Sequence, residues 1–358
     1  MTIQSTLLNW LLENEFLYHK IGYERRVMTF GKNGTILLGR TALEDRWECD
    51  EKSLTIRDSE GQETCKLIFQ KEPVFKGIWT RFAKMPVEIS QIDFKNYIWN
   101  EKEIRIIGLK RSGHHGIITW IAHHFEEPVC FLNNIVPFHN PFVSKKASII
   151  GDKETNRFYN IPTEASGGLS YKKCLMYNYE DQYLERICNE KVEELNSVFL
   201  GKSQEKYNVL VLRNPFNLIA SRLRAANEAW ISEMIPNPKT EEGRKMTSEI
   251  WKKYAKEFLG DTNYLKEKIC INYDKWHHNE QYRASISSSM KLEFTDSGKN
   301  VINDIGSSSF EPNKRDAKEL KVTERWKEYA ADEYYRSFFD DEMIDLATRI
   351  FEDLPSLT

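Results

Sequence analysis

No run of about 18 apolar residues occurs in this 358-residue chain, so no segment is long enough to be read as a membrane-spanning helix. The first residues place Leu7, Leu8, Leu11 and Leu12 around Trp10, an amphipathic turn or two. That is not the basic segment and apolar core of a targeting peptide, and a cytoplasmic location is the expectation. A dominant charge sign is also missing. Lys and Arg number 51 against 54 Asp and Glu, a net charge of −3, which excludes a broadly basic nucleic-acid binder. Any anion site must then be a local arrangement. The six cysteines, at 49, 65, 130, 174, 188 and 270, contain no C-x-x-C pair and no metal-ligand spacing. Buried reduced thiols are expected, with Cys49 and Cys65 able to face each other across a hairpin.

One further absence is the most informative. Residues 104–116 read IRIIGLKRSGHHG: a β-branched run, a tight loop, then a helix start. Gly108 and Gly113 keep the G-x-x-x-x-G frame of a phosphate loop, but His114-His115 stand where Lys-[Ser/Thr] would follow. Without that hydroxyl to hold Mg²⁺ and that Lys to reach the β/γ-phosphates, the loop is poorly equipped for ATP or GTP. It retains backbone N–H groups at a helix N-terminus beside Lys110 and Arg111, which suit an anion. A phosphate-type donor that needs no obligatory metal is the reading.

The chain divides into two expected parts, 1–97 and 98–358. The first reads as a short helix (about 4–17) followed by β-hairpins. Asn33-Gly34 and Glu60-Gly61 punctuate strand-like runs at 26–30, 35–39, 53–58 and 64–69, predicting a small antiparallel barrel or sandwich. Trp47 and Trp79 are its core or rim aromatics, better explained by packing than by a sugar- or peptide-binding platform. From 104 onward apolar runs at 104–108, 129–133, 173–178, 207–213 and 268–273 alternate with helical patterns, which predicts an α/β fold with a parallel sheet. Helices are expected at 115–125, 181–199, 216–230, 243–259, 279–290, 315–331 and 340–353. The Pro/Gly-containing stretch 136–170 reads as a long irregular excursion, and 296–315 as a second loop.

The other chemistry-bearing stretch is VLVLRNPFNLIASRL, residues 209–223. A buried strand ends at Arg213, and Pro215 suits the first position of the following helix. Arg213 then lies at the carboxyl end of a parallel strand, where open α/β sheets bind ligands, and Ser221 lies two turns along the helix. An Arg fork and a hydroxyl converging on one point suit a phosphate.

Together, residues 104–121 and 209–223 resemble the two nucleotide signatures of sulfotransferases that use 3′-phosphoadenosine-5′-phosphosulfate (PAPS). The P-[KR]-S-G-T-T core of the first signature matches Lys110-Arg111-Ser112-Gly113-His114-His115. The second supplies an Arg and a Ser eight residues apart that grip the 3′-phosphate, a spacing met by Arg213 and Ser221. Tyr273-Asp274 resembles the family's Y-[ED] strand end, and Gly306–Arg315 its late basic loop. The resemblance covers about 104–353 and implies a P-loop sulfotransferase fold preceded by an additional β-rich module. It implies donor contacts at Arg111, Ser112, Gly113, His114, His115, Gly116, Arg213, Ser221, Lys314 and Arg315, with no metal. Two departures stand out. Arg111 occupies the position usually held by Lys, though some members carry Arg, and His114 and His115 replace hydroxyl residues.

The resemblance further implies transfer of a sulfuryl group to an acceptor hydroxyl. The appended β-module, suited to gripping an extended substrate, points first to a carbohydrate or glycolipid, with a peptide tyrosine or a lipid-like natural product as alternatives. Arg111 and Lys110 would stabilise the charge that develops on the bridging oxygen. A base must take the acceptor proton. Candidates are His139 in the Pro-rich loop, Glu180 and Asp181 after the third strand, and His114 or His115. His123-His124 and His277-His278 read as structural. The resemblance implies aromatics against adenine, with Trp251, Tyr254 and Phe310 as candidates, while helical spacing favours core packing for the first two. Arg325-Trp326-Lys327 falls on the following expected helix, its charges solvated or paired with Glu324 and Glu328. A P-loop kinase-like phosphotransferase, or an inactive nucleotide-binding protein working through its β-module, are the rival readings.

Overall fold

The computed structural model describes residues 3–70, 74–81, 84–127, 129–144, 147–152, 157–160, 171–228, 232, 234–300, 321–352 and 354–355. After α1 (Ile3–Glu13) the chain builds an antiparallel sheet from β1 (Glu15–Lys20), β2 (Glu24–Met28), β3 (Arg46–Cys49), β4 (Ser53–Arg57), β5 (Glu63–Phe69), β6 (Val74–Trp79) and β7 (Met85–Ile92). Its order is β2-β1-β7-β6-β5-β4-β3. The segment between β2 and β3 doubles back on itself: Phe30 bridges Ile36, and Thr35 bridges Arg46. The two edge strands are thereby tied to each other. Gly34, at φ +76°, makes the expected Asn33-Gly34 turn, donating its N–H to Gly31 O at 3.0 Å.

The expected helix over 4–17 ends early, because EFLYHK at 15–20 forms β1 and pairs with both β2 and β7. Phe16, Tyr18 and Lys20 point inward, an alternation obscured by the leucine-rich helix just before it. Trp47 packs in this core and donates its indole N–H to Gly31 O and Thr35 O, each at 3.1 Å; Trp79 is buried with Lys20 Nζ 3.9 Å above its ring. Cys49 and Cys65 are free thiols.

A charged group lies inside this part of the chain. Arg26 is fully buried and pairs with Glu24 and, at 3.0 Å, with Glu44; Lys20 pairs with Glu44 at 3.1 Å and Glu24 at 3.3 Å. Burial alone would raise the Glu44 carboxyl, but Arg26 and Lys20 outweigh it and hold the group down at about 2.

The second sheet contains β8 (Asn100–Gly108), β9 (Val129–Leu132), β10 (Ala147–Asp152), β11 (Arg157–Asn160), β12 (Lys172–Glu180), β13 (Ser203–Leu212) and β14 (Lys268–Asn272). Its order is β11-β10-β9-β12-β8-β13-β14. β9, β12, β8, β13 and β14 run parallel, as expected, while β10 and β11 add antiparallel strands where an irregular excursion is expected. The helices are α2 (His114–Ala122), α3 (Pro141–Ser144), α4 (Leu184–Ile187), α5 (Glu190–Leu200), α6 (Pro215–Glu228), α7 (Glu241–Leu259), α8 (Tyr273–His278), α9 (Glu280–Ser289), α10 (Glu333–Arg336) and α11 (Asp341–Ile350). The helix expected over 181–199 is broken, because Asn189 caps a new start by accepting from Lys191 N. The helix expected over 315–331 is a 3-10 turn at Arg325–Tyr329, with 315–320 outside the described residues.

β8 sits centrally, and the chain leaves it toward β9 and β12 on one side and toward β13 and β14 on the other. In open parallel sheets, the carboxyl ends of the strands at such a reversal are where ligands bind. Apolar packing covers both faces of the sheet, and Val27 of β2 joins Leu175, Tyr177 and Phe199 in one of the two clusters. Among the described residues no helix is long and apolar enough to cross a membrane. Replacing Arg26 with Met should leave Glu24 and Glu44 underpaired and cost about 3–5 kcal/mol in chemical denaturation; an unchanged midpoint would contradict a stabilising role for this cluster.

Candidate anion-binding and acid-base site

The chain leaves β8 at Gly108 and turns within five residues into α2. Two residues in the turn take left-handed backbone conformations, Arg111 at φ +73° and Gly113 at φ +84°. A Cβ on Gly113 would stand 2.2 Å from the Tyr273 ring, so glycine is required both for conformation and for space. Ser112 N–H closes the turn on Leu109 O at 2.9 Å. The amides of His114 and His115 open α2 at the positive end of the helix dipole, while Gly116 N–H is already taken by Gly113 O at 3.0 Å.

Buried side chains hold the loop from behind. Asp181, itself at φ +55°, accepts Lys110 N–H at 2.9 Å and pairs with the buried Arg222, whose Nε donates to Lys110 O at 3.1 Å. Of the two strand-end acids considered as bases, Asp181 is thus committed to anchoring the loop. Lys110 and Arg111 are half-buried on the turn itself.

The second motif reaches the same loop. Arg213, just past β13, is 1% exposed, and its Nη1 donates to Arg111 O at 3.0 Å and to Ser221 Oγ at 3.3 Å. Its Nη2 donates to Val322 O, and its Nε has no hydrogen-bond partner among the described residues. Every acceptor it has there is neutral. Burial pulls the guanidinium below its usual value against the opposing pull of Tyr273, whose ring lies 5.2 Å away, and of Asp274. Ser221, fully buried on α6, donates to Asn217 O at 2.8 Å and also accepts Arg325 Nη1 at 3.0 Å. Two guanidinium groups therefore converge on one hydroxyl.

Arg325 departs from the expectation for its segment: it is 8% exposed and points inward, while neighbouring Lys327 pairs with Glu324 at 3.3 Å, as expected. No local pattern in RWKEY marks which of its cations turns in. Trp251 and Tyr254 are core residues, as expected. The Trp251 indole donates to Arg213 O at 3.1 Å and so positions the strand end, and Tyr254 donates to Gln182 O at 2.7 Å.

Beside the loop, Glu180 ends β12 in register with Gly108. Its Oε1 lies 2.7 Å from His114 Nε2, 3.2 Å from His115 Nε2 and 3.4 Å from Asn178 Nδ2. Burial would raise this carboxyl, but the two imidazoles outweigh it and hold the group well below the usual carboxylate range. His114 Nδ1 is 3.0 Å from Ser112 Oγ. Burial lowers the His115 imidazole, and His114 beside it adds to the effect against the pull of Glu180. His114, His115 and Glu180 thus form one cluster.

His139 does not join it. It is exposed in the loop after β9, with Nδ1 3.1 Å from Pro137 O, and has no hydrogen bond to the 110–116 turn or to Glu180 among the described residues. His123 and His124 bond to carbonyls of their own helix, Thr119 O at 2.8 Å and Trp120 O at 2.9 Å, as expected of structural residues. Lys314, Arg315 and Phe310 lie outside the described residues.

No family model matches the chain, and no curated protein does. Among solved structures it is similar to the sulfotransferase domain of the Synechococcus PCC 7002 olefin synthase, at 12% identity and TM-score 0.43, over 74% of this chain and all of that one. It is also similar to mouse sulfotransferase SULT7A1 complexed with PAP, at 14% identity and TM-score 0.40, over 72% of this chain and 89% of that one. A crystal structure of a psychrophilic marine protease MP inhibitor aligns over 23% of this chain and 96% of that one, at 16% identity and TM-score 0.19.

Asp274, half-buried with one carboxyl oxygen shielded from water and within electrostatic reach of Arg213, is raised to about 6 by desolvation, which exceeds the lowering effect of Arg213. A carboxyl that holds its proton more tightly when folded stabilises the fold below its ordinary value near 4, and that contribution is lost as pH rises through 6. Thermal unfolding between pH 4 and 7 should therefore fall less steeply in Asp274→Asn than in the wild type; equal slopes would show that Asp274 titrates normally.

Proposed function

We propose that the chain is a sulfotransferase that moves a sulfuryl group from PAPS to an acceptor hydroxyl, with residues 98–358 forming the catalytic domain and 1–97 an accessory module. The observation that carries this reading is the convergence of Arg213 and Arg325 on Ser221, with Arg213 also bonded to the carbonyl of Arg111. A doubly phosphorylated nucleotide needs two separated anion sites. The turn at 110–116, with the amides of Gly113, His114 and His115 beside Ser112, Lys110 and Arg111, suits the 5′-phosphosulfate; the expected Gly116 amide is bonded to Gly113 O instead. Arg213, Ser221 and Arg325 suit the 3′-phosphate, with Lys314 and Arg315 as further donors from the late loop.

Sulfuryl transfer resembles phosphoryl transfer in its loose transition state, so catalysis is mostly positioning and charge stabilisation. As the acceptor oxygen bonds to sulfur, the bond from sulfur to the bridging phosphate oxygen breaks. Lys110 and Arg111 meet the charge that collects on that oxygen. Glu180, ionised and at the edge of the same loop, takes the acceptor proton. The Glu180 cluster supports this choice over His139, whose hydrogen bond turns it to its own loop. A carbohydrate or glycolipid acceptor is the first class to test, since a separate β-rich module suits an extended substrate. No metal is assigned to the transfer step, because the Lys-[Ser/Thr] pair that would organise Mg²⁺ is replaced by His114-His115.

Adenosine 3′,5′-bisphosphate at about 100 times its dissociation constant should stabilise the protein by about 2.7 kcal/mol in thermal unfolding. A shift with ATP-Mg²⁺ and none with the bisphosphate would favour a kinase-like reading. In steady-state assays with PAPS, Arg213→Ala should weaken nucleotide affinity, while Arg111→Ala should lower turnover about 10²–10³-fold. Equal, small effects from both would contradict the division of roles.

A further inference from the structure

We propose that His114, His115 and Glu180 form a site for one divalent transition-metal ion of the zinc type, and that the bound ion withholds Glu180 from the acceptor. The second half rests on the function proposed above; the first does not.

Three donors of the right kind are already assembled. The ligand-capable atoms of these side chains lie within 4.8 Å of one another, and among the described residues this is the group of His, Cys, Asp and Glu that meets such a spacing. The imidazoles come from consecutive residues at the start of α2, with ring centroids 4.4 Å apart, and the carboxylate comes from the end of the neighbouring strand. The side chains are 3%, 19% and 10% exposed, so the pocket is largely shielded from water. Two imidazoles and a carboxylate select zinc, cobalt or nickel over magnesium, which prefers oxygen donors. Three protein ligands leave a fourth position, for water or an oxygen of a bound anion.

Hydrogen bonding within the cluster already aims both imidazoles at the carboxylate. Both Nε2 atoms point at one oxygen, Glu180 Oε1. Donation from both places the His115 lone pair on Nδ1, which is buried without a hydrogen-bond partner among the described residues. An ion on Nε2 moves the hydrogen to Nδ1, which has no partner in either form among the described residues, so this atom does not oppose binding. His114 has its outer partner in place, with Ser112 Oγ 3.0 Å from Nδ1, the arrangement that orients a metal-bound imidazole. Binding replaces two N–H···O contacts by two metal–nitrogen bonds and one metal–oxygen bond. The carboxylate oxygen that would accept a proton is then occupied, and transfer slows.

The test uses full-length, chelator-treated protein. Titration with Co²⁺ should give one ion per chain, with the visible absorption of a four-coordinate nitrogen and oxygen site and without the near-ultraviolet thiolate band that cysteine binding adds. His115→Ala and Glu180→Gln, checked for native circular dichroism, should each lose this signal, and His139→Ala should keep it. No stoichiometric binding by wild type, a thiolate band, or a signal that survives both site variants would overturn the site. Zn²⁺ at saturation should lower sulfuryl transfer at least tenfold, reversibly on chelation. Unchanged transfer with the ion bound would overturn the inhibitory role alone. A protein that binds Co²⁺ but gains no stability from adenosine 3′,5′-bisphosphate would fail the functional reading and keep the metal site.

Discussion

The fully buried guanidinium of Arg213 is the constraint on which the site depends. A charge of this size inside a protein is costly unless it is well bonded, and here it is bonded by carbonyls and a hydroxyl rather than by a carboxylate. Those neutral acceptors engage both of its terminal nitrogens, leave Nε without a partner among the described residues and do not cancel its charge. The nearest acid, Asp274, is itself raised toward neutrality by burial. The protein thus keeps a positive potential in a dry place, where it interacts far more strongly with an anion than an exposed lysine would. The same guanidinium bonds the Arg111 carbonyl, so the part of the site that carries the charge also shapes the turn next to it.

The turn is held from its other side by a second buried pair, Asp181 and Arg222. Three left-handed residues, Arg111, Gly113 and Asp181, cluster here, and backbone in that region persists only where its surroundings dictate it. Hydrogen bonds donated by Arg213 and Arg222, and the one Asp181 accepts from Lys110 N–H, supply that support. Asn134, a fourth left-handed residue, donates its N–H to Asn178 Oδ1 at 2.6 Å, and Asn178 in turn reaches Glu180. The backbone at the carboxyl end of the parallel sheet is therefore tied by side-chain hydrogen bonds at each of these left-handed residues or beside them.

Much of this was legible in the amino-acid sequence, and the exceptions have physical reasons. The β-branched run before Gly108 and the apolar run before Arg213 announce buried parallel strands, and the structure pairs both with register to spare. Arg213 and Ser221 come together as their spacing on a strand end and helix predicts. The pairing of Glu180 with the two loop histidines could not be read, because it depends on β12 lying beside β8 rather than on any local pattern. Arg325 was invisible for a similar reason: RWKEY carries two cations, and only the tertiary packing of the turn decides which one enters the core. β1 was hidden because Lys20, a polar residue at an inward position, is hidden by its ion pairs and by the Trp79 ring. β10 and β11 lay in a proline- and glycine-marked stretch that reads as loop.

The most direct measurement of the central claim is a crystal structure with adenosine 3′,5′-bisphosphate bound. The account predicts the 3′-phosphate within hydrogen-bond distance of Arg213, Ser221 and Arg325, and the 5′-phosphate on the amides that open α2. A nucleotide seated elsewhere, or bound with its 3′-phosphate away from Arg213, would contradict it.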